Sequence, residues 1–182
     1  MTDPPQAAEL TAASKFLAYV LRHDPAAIGI TLDGAGWVQV DDLIAAAGRH
    51  GRPLPAQTLR QVIQAPGKRR FEIRDGRIRA AQGHSVPVDL GLASAVPPAV
   101  LFHGTVARSL PGILAEGLQP GRRTHVHLSA DRATATAVGA RRGRPVVLRV
   151  DSAGMRAAGH EFLCAANGVW LTARVPPAFI AR

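Results

Sequence analysis

The polar side chains of this 182-residue chain that could do chemistry are mostly arginine and histidine, and they fall in short clusters: Arg22-His23, Lys68-Arg69-Arg70, His103-Gly104-Thr105 and Arg123-Thr124-His125-Val126-His127-Leu128-Ser129. A guanidinium is permanently charged and can fork onto two oxygens of one anion, and an imidazole exchanges protons near neutrality. A guanidinium and an imidazole side by side, as at Arg22-His23, could both point at one anion. Plainer readings stand next to each. Arg22-His23 at a helix end also complements the helix dipole, and Lys68-Arg69-Arg70 also reads as a generic basic loop. In a strand His125 and His127 would share a face, and with His103 they could ligate zinc. The scarcity of carboxylates to orient such ligands weighs against zinc, and a core histidine bonded to backbone is the ordinary alternative for each. No metal is expected.

The missing residue types narrow the chemistry further. Beyond residue 90 the acids are Glu116, Asp131, Asp151 and Glu161, and no two stand at catalytic spacing, which argues against glycosidase or carboxylate-metal chemistry. No glycine-rich phosphate loop of either common type occurs. The lone Cys164 can form neither an internal disulfide nor a thiolate zinc cluster. A site must therefore be built from Arg, His, Ser and Thr.

These residues need a scaffold, and the composition supports one: 47% of the residues are apolar, enough for a packed core. Apolar runs stay far below a membrane span, and the N-terminus lacks the basic-then-apolar order of a signal peptide, so a soluble, cytoplasmic protein is expected. With 22 basic against 13 acidic residues the formal charge is +9, which serves solubility or a polyanionic partner, nucleic acid first. The charge is uneven. Residues 1–90 hold 11 basic and 9 acidic side chains, and residues 91–182 hold 11 and 4. Residues 85–98 carry three prolines and one charge without a helical or strand period, and are expected to be a linker between lobes 1–84 and 99–182.

In the first lobe, Thr11 or Ser14 is expected to cap a helix bearing Phe16, Leu17, Val20 and Leu21, which Asp24-Pro25 ends. Residues 28–40 read as two short strands about Asp33-Gly34. Asp41 is expected to cap a second helix, and Pro55 to open a third carrying Leu59, Val62 and Ile63. Residues 71–79 alternate apolar and charged about Asp75-Gly76, a two-residue hairpin signal. Helices followed by a basic hairpin outline a winged helix, whose third helix and hairpin usually face nucleic acid. The basic set there is Arg60, Lys68, Arg69, Arg70, Arg74, Arg77 and Arg79. A solvated edge protected by charge is the alternative. In the second lobe, strands are expected at 100–105, 125–129, 146–150, 161–165 and 169–172. Helices are expected at 107–116, stopped by Gly117, and from the Asp131 cap to Arg142. Short strands with interleaved helices make this an α+β domain on a curved or split sheet.

Taken in order, Ser14-Lys15 with Leu21-Arg22-His23, Thr31-Leu32-Asp33 with Gly36-Trp37, Lys68 to Phe71, Gln82-Gly83-His84-Ser85, His103-Gly104-Thr105, Arg123 to Ser129 and Asn167 to Thr172 resemble the NAD-dependent RNA 2′-phosphotransferase family. The match runs from about residue 14 to residue 180, so the series is specific although each motif alone is weak. The resemblance implies an N-terminal winged-helix lobe for RNA and a C-terminal ADP-ribosyltransferase-like split-sheet lobe for NAD. It implies that an internal RNA 2′-phosphate, such as a tRNA splice junction carries, attacks the anomeric carbon of the nicotinamide ribose of NAD and expels nicotinamide. The ADP-ribose 2″-hydroxyl then attacks that phosphate, releasing RNA and ADP-ribose 1″,2″-cyclic phosphate.

By motif match, Arg22, His23, Arg70 and Arg123 are the implied phosphate-binding tetrad, drawn from both lobes. His23 is also suited to protonate the leaving RNA oxygen. His103, Gly104, Thr105, His127, Ser129 and Val169 are the implied NAD contacts, with Gly104 admitting the dinucleotide to the backbone and His125 structural. Lys15, Lys68 and Arg69 are expected to contact RNA, and the protein to act as a monomer. The chain departs from the commoner family pattern at Arg69 and Leu163. Three rival functions remain: an ADP-ribosyltransferase that stops after the first step, a winged-helix DNA-binding regulator that senses a nucleotide, and a basic structural adaptor.

Overall fold

Two prolines followed by strong helix formers start the first helix, α1 (Pro4–Arg22), well before the Thr11 or Ser14 cap that the sequence suggested. Proline fits a first helical turn because its missing N–H would have no partner there and its φ is already set. The computed structural model describes residues 4–65 and 69–181. The chain divides into two units, Met1–Gly91 and Leu92–Arg182. Among the described residues no helix is long and apolar enough to cross a membrane.

In the first unit α1 buries Leu17, Val20 and Leu21. It stops where the amides of His23 and Asp24 both turn back to the Tyr19 carbonyl. Asp24 then caps a 3-10 turn, Pro25–Ile28, accepting from the Ala27 amide at 3.0 Å. The two strands expected over 28–40 reduce to one, β1 (Val38–Gln39). The cause is local: the Asp33 carboxylate accepts from the amides of Ala35 and Trp37 at 2.9 and 2.8 Å, and Gly36 turns at φ +82. Side-chain bonds of this kind close a turn and take the amides that a ladder would use.

Helix α2 (Val40–Arg49) has Gln39 at its cap, two residues ahead of the expected Asp41, so Asp41 and Asp42 sit in the first turn against the positive end of the dipole. Helix α3 (Ala56–Gln64) follows Pro55 and buries Leu59 and Val62. Strands β2 (Phe71–Arg74) and β3 (Arg77–Ala80) form the expected hairpin. Asp75 and Gly76 take φ of 50 and 70, the left-handed pair that a tight two-residue turn requires. Strand β1 pairs with β3, giving the order β1-β3-β2, and Ile78 of β3 is fully buried beside the helices.

In the second unit β4 (Val100–Val106) pairs antiparallel along its whole length with β6 (Pro145–Asp151), and β6 pairs with β9 (Ile180–Ala181). A second three-stranded sheet has the order β5-β8-β7, from β5 (Val126–Leu128), β7 (Leu163–Cys164) and β8 (Trp170–Thr172). Phe102 and Ser129 exchange backbone hydrogen bonds, both 2.8 Å, and so bring β4 and β5 side by side. A 3-10 turn, Ala107–Ser109, leads into α4 (Leu110–Glu116), and Gly117 ends it at φ +83. Asp131 caps α5 (Arg132–Gly139), accepting from the Thr134 amide, and the chain continues as a 3-10 turn to Arg142. A short α6 (Ser152–Ala157), capped by Asp151, was not anticipated. The core gathers Leu101, Leu128, Leu148, Val150, Met155, Phe162 and Val175.

Residues 85–98 carry no helix or strand but are hydrogen bonded within their own units. Ser85 and Val86 amides reach the Arg22 carbonyl, and the Asp89 amide reaches Gly34. In the second unit the Ala95 amide reaches Phe162 and the Pro98 carbonyl accepts from Ser152.

Candidate functional site

In the first unit Arg22 and Arg70 meet at the C-terminal end of α1. Arg22 donates from Nη2 to the Arg70 carbonyl at 3.3 Å, which places both residues at one end of the hairpin. That carbonyl also accepts from the Ala81 amide. Arg70 and His23 are exposed, as is Lys15, two turns back on the same helix face. His23 Nδ1 lies 2.9 Å from the Ser85 hydroxyl.

In the second unit, register and the Phe102–Ser129 bridge set His103 beside β5. His103 Nδ1 donates to the His127 carbonyl at 3.1 Å, because a carbonyl can only accept. In the neutral ring its other nitrogen carries a lone pair. Burial, then the cations Arg142 and Arg123, push the His103 imidazole below its ordinary pKa, with the bond to His127 opposing them. His103 is neutral at pH 7. Arg123 donates from Nη1 to His127 Nδ1 at 2.6 Å, so that nitrogen must accept and the ring proton of His127 sits on Nε2. Arg123 is exposed as a residue, yet crowding of its head group, then Arg142 and Arg141, lower its pKa. It stays charged, since arginine does not deprotonate in proteins. All three ion pairs among the described residues lie in the first unit, so none of these three arginines is matched by a carboxylate. A surface of this kind, with neutral imidazoles flanked by cations, is suited to an anion.

The model of the family described as RNA 2′-phosphotransferase, Tpt1 / KptA family matches residues 8–174. The chain belongs to this RNA 2′-phosphotransferase family. It is 57% identical over 167 residues to a Streptomyces coelicolor protein named "Probable RNA 2'-phosphotransferase", covering 92% of each chain. Proteins with the same printed name from Agrobacterium fabrum and Pseudomonas aeruginosa are 57% and 58% identical, covering 93% and 92% of this chain and 92% and 93% of their own.

For this member of the RNA 2′-phosphotransferase family, the remaining positions singled out from sequence divide clearly. An added Cβ on Gly104 would fall on the Ala135 carbonyl oxygen and lie 2.7 Å from the Ala135 carbonyl carbon. The glycine is explained by the close approach of α5 to β4, not by room for a dinucleotide on that side. Thr105 is buried, and its carbonyl stands 2.8 Å from where a Cβ on Gly139 would be. Ser129 is half-buried and holds the bridge to Phe102. Val169 precedes Trp170, which pairs with Leu128. His125 lies outside the strand and bonds Thr124. Among the described residues no group of three His, Cys, Asp or Glu side chains could hold a metal ion. Arg69 is exposed, and Lys68 lies outside the described residues.

Arg79 departs most from the sequence reading, which counted it among the basic groups of the hairpin. It pairs with Glu72 at 3.0 Å, donates to the carbonyls of Ala35 and Leu90, and stacks 4.5 Å over the Trp37 ring. Such a guanidinium serves as a structural strut within the first unit.

His84 and Ser85 were read only as part of a motif, and both prove to support the end of α1. His84 is 1% exposed, and its Nε2 has no hydrogen-bond partner among the described residues and stands 3.5 Å from the Cβ position of Gly36. Burial, followed by the charges of Arg22, Arg79 and His23, lowers its pKa to about 4. The signal in the sequence is a histidine set between small residues in an otherwise apolar stretch. Because the folded pKa lies below the unfolded one, the stabilising effect of the neutral ring is complete above about pH 6.5 and is lost as pH falls towards 4. Urea midpoints across that window should show wild type losing about 2–3 kcal/mol more than His84→Asn; parallel curves for the two proteins would contradict this.

Proposed function

We propose that the chain removes an internal 2′-phosphate from RNA by transferring it to NAD. In this reading residues 1–84 are a winged-helix lobe for RNA and residues 99–182 an ADP-ribosyltransferase-like lobe for NAD. The order α1, β1, α2, α3, β2, β3, with the hairpin and β1 in one sheet, supports the first assignment. Paired three-stranded antiparallel sheets joined at Phe102 and Ser129 support the second. The observation that carries the reading is the carboxylate-free group Arg123, Arg141 and Arg142 beside two imidazoles whose protons are fixed by Arg123 and the His127 carbonyl.

When bound, NAD supplies an anomeric carbon that bears nicotinamide as its leaving group. The donor set fits a dinucleotide: Arg141 and Arg142 would offset the charge of its pyrophosphate, and the neutral His103 would add no charge against the nicotinamide ring. The attacking group, an RNA phosphate, is already an anion, so the first step needs no carboxylate base. The acids of the second unit agree with that economy, since Asp131 and Asp151 are spent as helix caps. Arg22 and Arg70 in the first unit, and Arg123 in the second, are each suited to hold phosphate oxygens while charge redistributes among them. His23 delivers the proton to the departing RNA 2′-oxygen in the second step.

Incubation with NAD and a 2′-phosphorylated oligonucleotide should yield nicotinamide, dephosphorylated RNA and ADP-ribose 1″,2″-cyclic phosphate in equal amounts. ADP-ribosylated RNA without cyclic phosphate would mark an enzyme that stops after the first step, and absence of nicotinamide release would remove the reading altogether. In His23→Ala the ADP-ribosylated RNA should accumulate, with its resolution slowed by about 100-fold, the scale of losing a general acid. Its rapid disappearance in a burst experiment would count against the role given to His23.

A further inference from the structure

The Arg22 carbonyl belongs to the last turn of α1, where carbonyls have no partner inside the helix. It accepts from the Ser85 amide at 2.8 Å, from the Val86 amide at 3.3 Å and from the Ser85 hydroxyl at 3.4 Å. The same hydroxyl oxygen stands 2.9 Å from His23 Nδ1. A hydroxyl has one proton and two lone pairs. The Arg22 carbonyl can only accept, and a hydroxyl that gives it its proton receives Nδ1–H from the imidazole. Asp24, the nearest acid in sequence, is engaged elsewhere: one oxygen accepts from the Tyr19 hydroxyl at 2.9 Å and the other from the Ala27 amide. Charged or titratable groups near the ring among the described residues include Arg22, Tyr19 at 6.4 Å between ring centroids, Asp24 and the buried His84, which is itself neutral.

We propose that Ser85 is a positioning residue for His23: it fixes the ring and keeps a proton on Nδ1, so that Nε2 is the nitrogen that carries the exchangeable proton to the RNA oxygen. This deepens the proposed reaction and rests on His23 acting as the acid of its second step. The balance is simple. The proton on Nε2 of the imidazolium passes to the leaving 2′-oxygen as the P–O bond breaks, and the ring is left neutral with Nδ1–H still bonded to Ser85. Because that bond favours the protonated ring, its loss should make His23 a poorer proton carrier at neutral pH.

The test compares Ser85→Ala and Ser85→Thr in the full chain. In single turnover, Ser85→Ala should slow the second step about 10-fold, the scale of losing a hydrogen bond to a charged group, and leave nicotinamide release within about 3-fold of wild type. Its rate should fall off at lower pH than wild type. Ser85→Thr, which keeps the hydroxyl, should restore both. Independently of activity, nitrogen-15 NMR of the His23 ring should show Nδ1–H in wild type and a titration midpoint lower by about one pH unit in Ser85→Ala. An unchanged His23 titration, or equal slowing of both steps without rescue by threonine, would overturn the proposal. Absence of nicotinamide release by wild type would instead defeat the proposed reaction, and the NMR comparison would still decide what Ser85 does to His23.

Discussion

Arg123→Ala should lower turnover by about 100-fold or more while leaving the second unit as stable as before. In the proposed reaction the activity loss follows from removing a charge that would meet the phosphate as negative charge redistributes, an effect of two to three orders of magnitude where single donors have been removed. The unchanged stability follows from the environment. Arg123 is pressed by Arg142 and Arg141, and its described hydrogen bond goes to His127, a neutral acceptor. Its removal relieves repulsion and breaks no ion pair. Arg123→Lys should recover little, since an ammonium cannot make the two parallel hydrogen bonds of a guanidinium. Rates of nicotinamide release and cyclic phosphate formation, beside a thermal melt, measure both halves. An active Arg123→Ala would remove the phosphate role, and an inactive but unfolded one would assign the arginine to structure.

Gly104→Ala should abolish the fold of the second unit. The added methyl carbon falls on the Ala135 carbonyl oxygen and within 2.8 Å of the Gly139 nitrogen, and both are backbone atoms of α5 that cannot rotate aside. Relief would require moving α5 off β4, a strand whose Leu101 is fully buried in the core. A cost above about 4 kcal/mol is expected, at the severe end for a single substitution. Gly112→Ala in α4, where the added carbon meets nothing within 4 Å, should be neutral or slightly stabilising. Circular dichroism and urea unfolding of the two variants decide the matter: a Gly104→Ala that melts with wild type would mean that α5 does not approach β4 this closely.

Features governed by neighbours in sequence were legible without a structure. Asp75-Gly76 made its hairpin because only a left-handed pair closes a two-residue turn. Asp131 capped its helix, Gly117 ended another, and the apolar spacing in α1 marked its buried face. Where local side-chain bonds competed with the expected pattern, the reading failed. Asp33 drew the Ala35 and Trp37 amides into a turn and left β1 only two residues long. The short β9 has no period to detect, since it exists only by pairing with β6.

The residue types of the site, their order along the chain and the family they indicate were determined by the sequence itself, because side-chain chemistry and motif spacing are properties of the linear chain. Only the tertiary structure decided which cations are available to a ligand. Arg79 and Arg123 look alike in sequence, yet one is held by Glu72 and Trp37 while the other stands among arginines without a carboxylate. Nor could any spacing foretell that His84 is neutral or that Ser85 meets His23 from 62 residues away. Charge state and hydrogen-bond pairing depend on burial and on neighbours distant in sequence, and those exist only once the chain has folded.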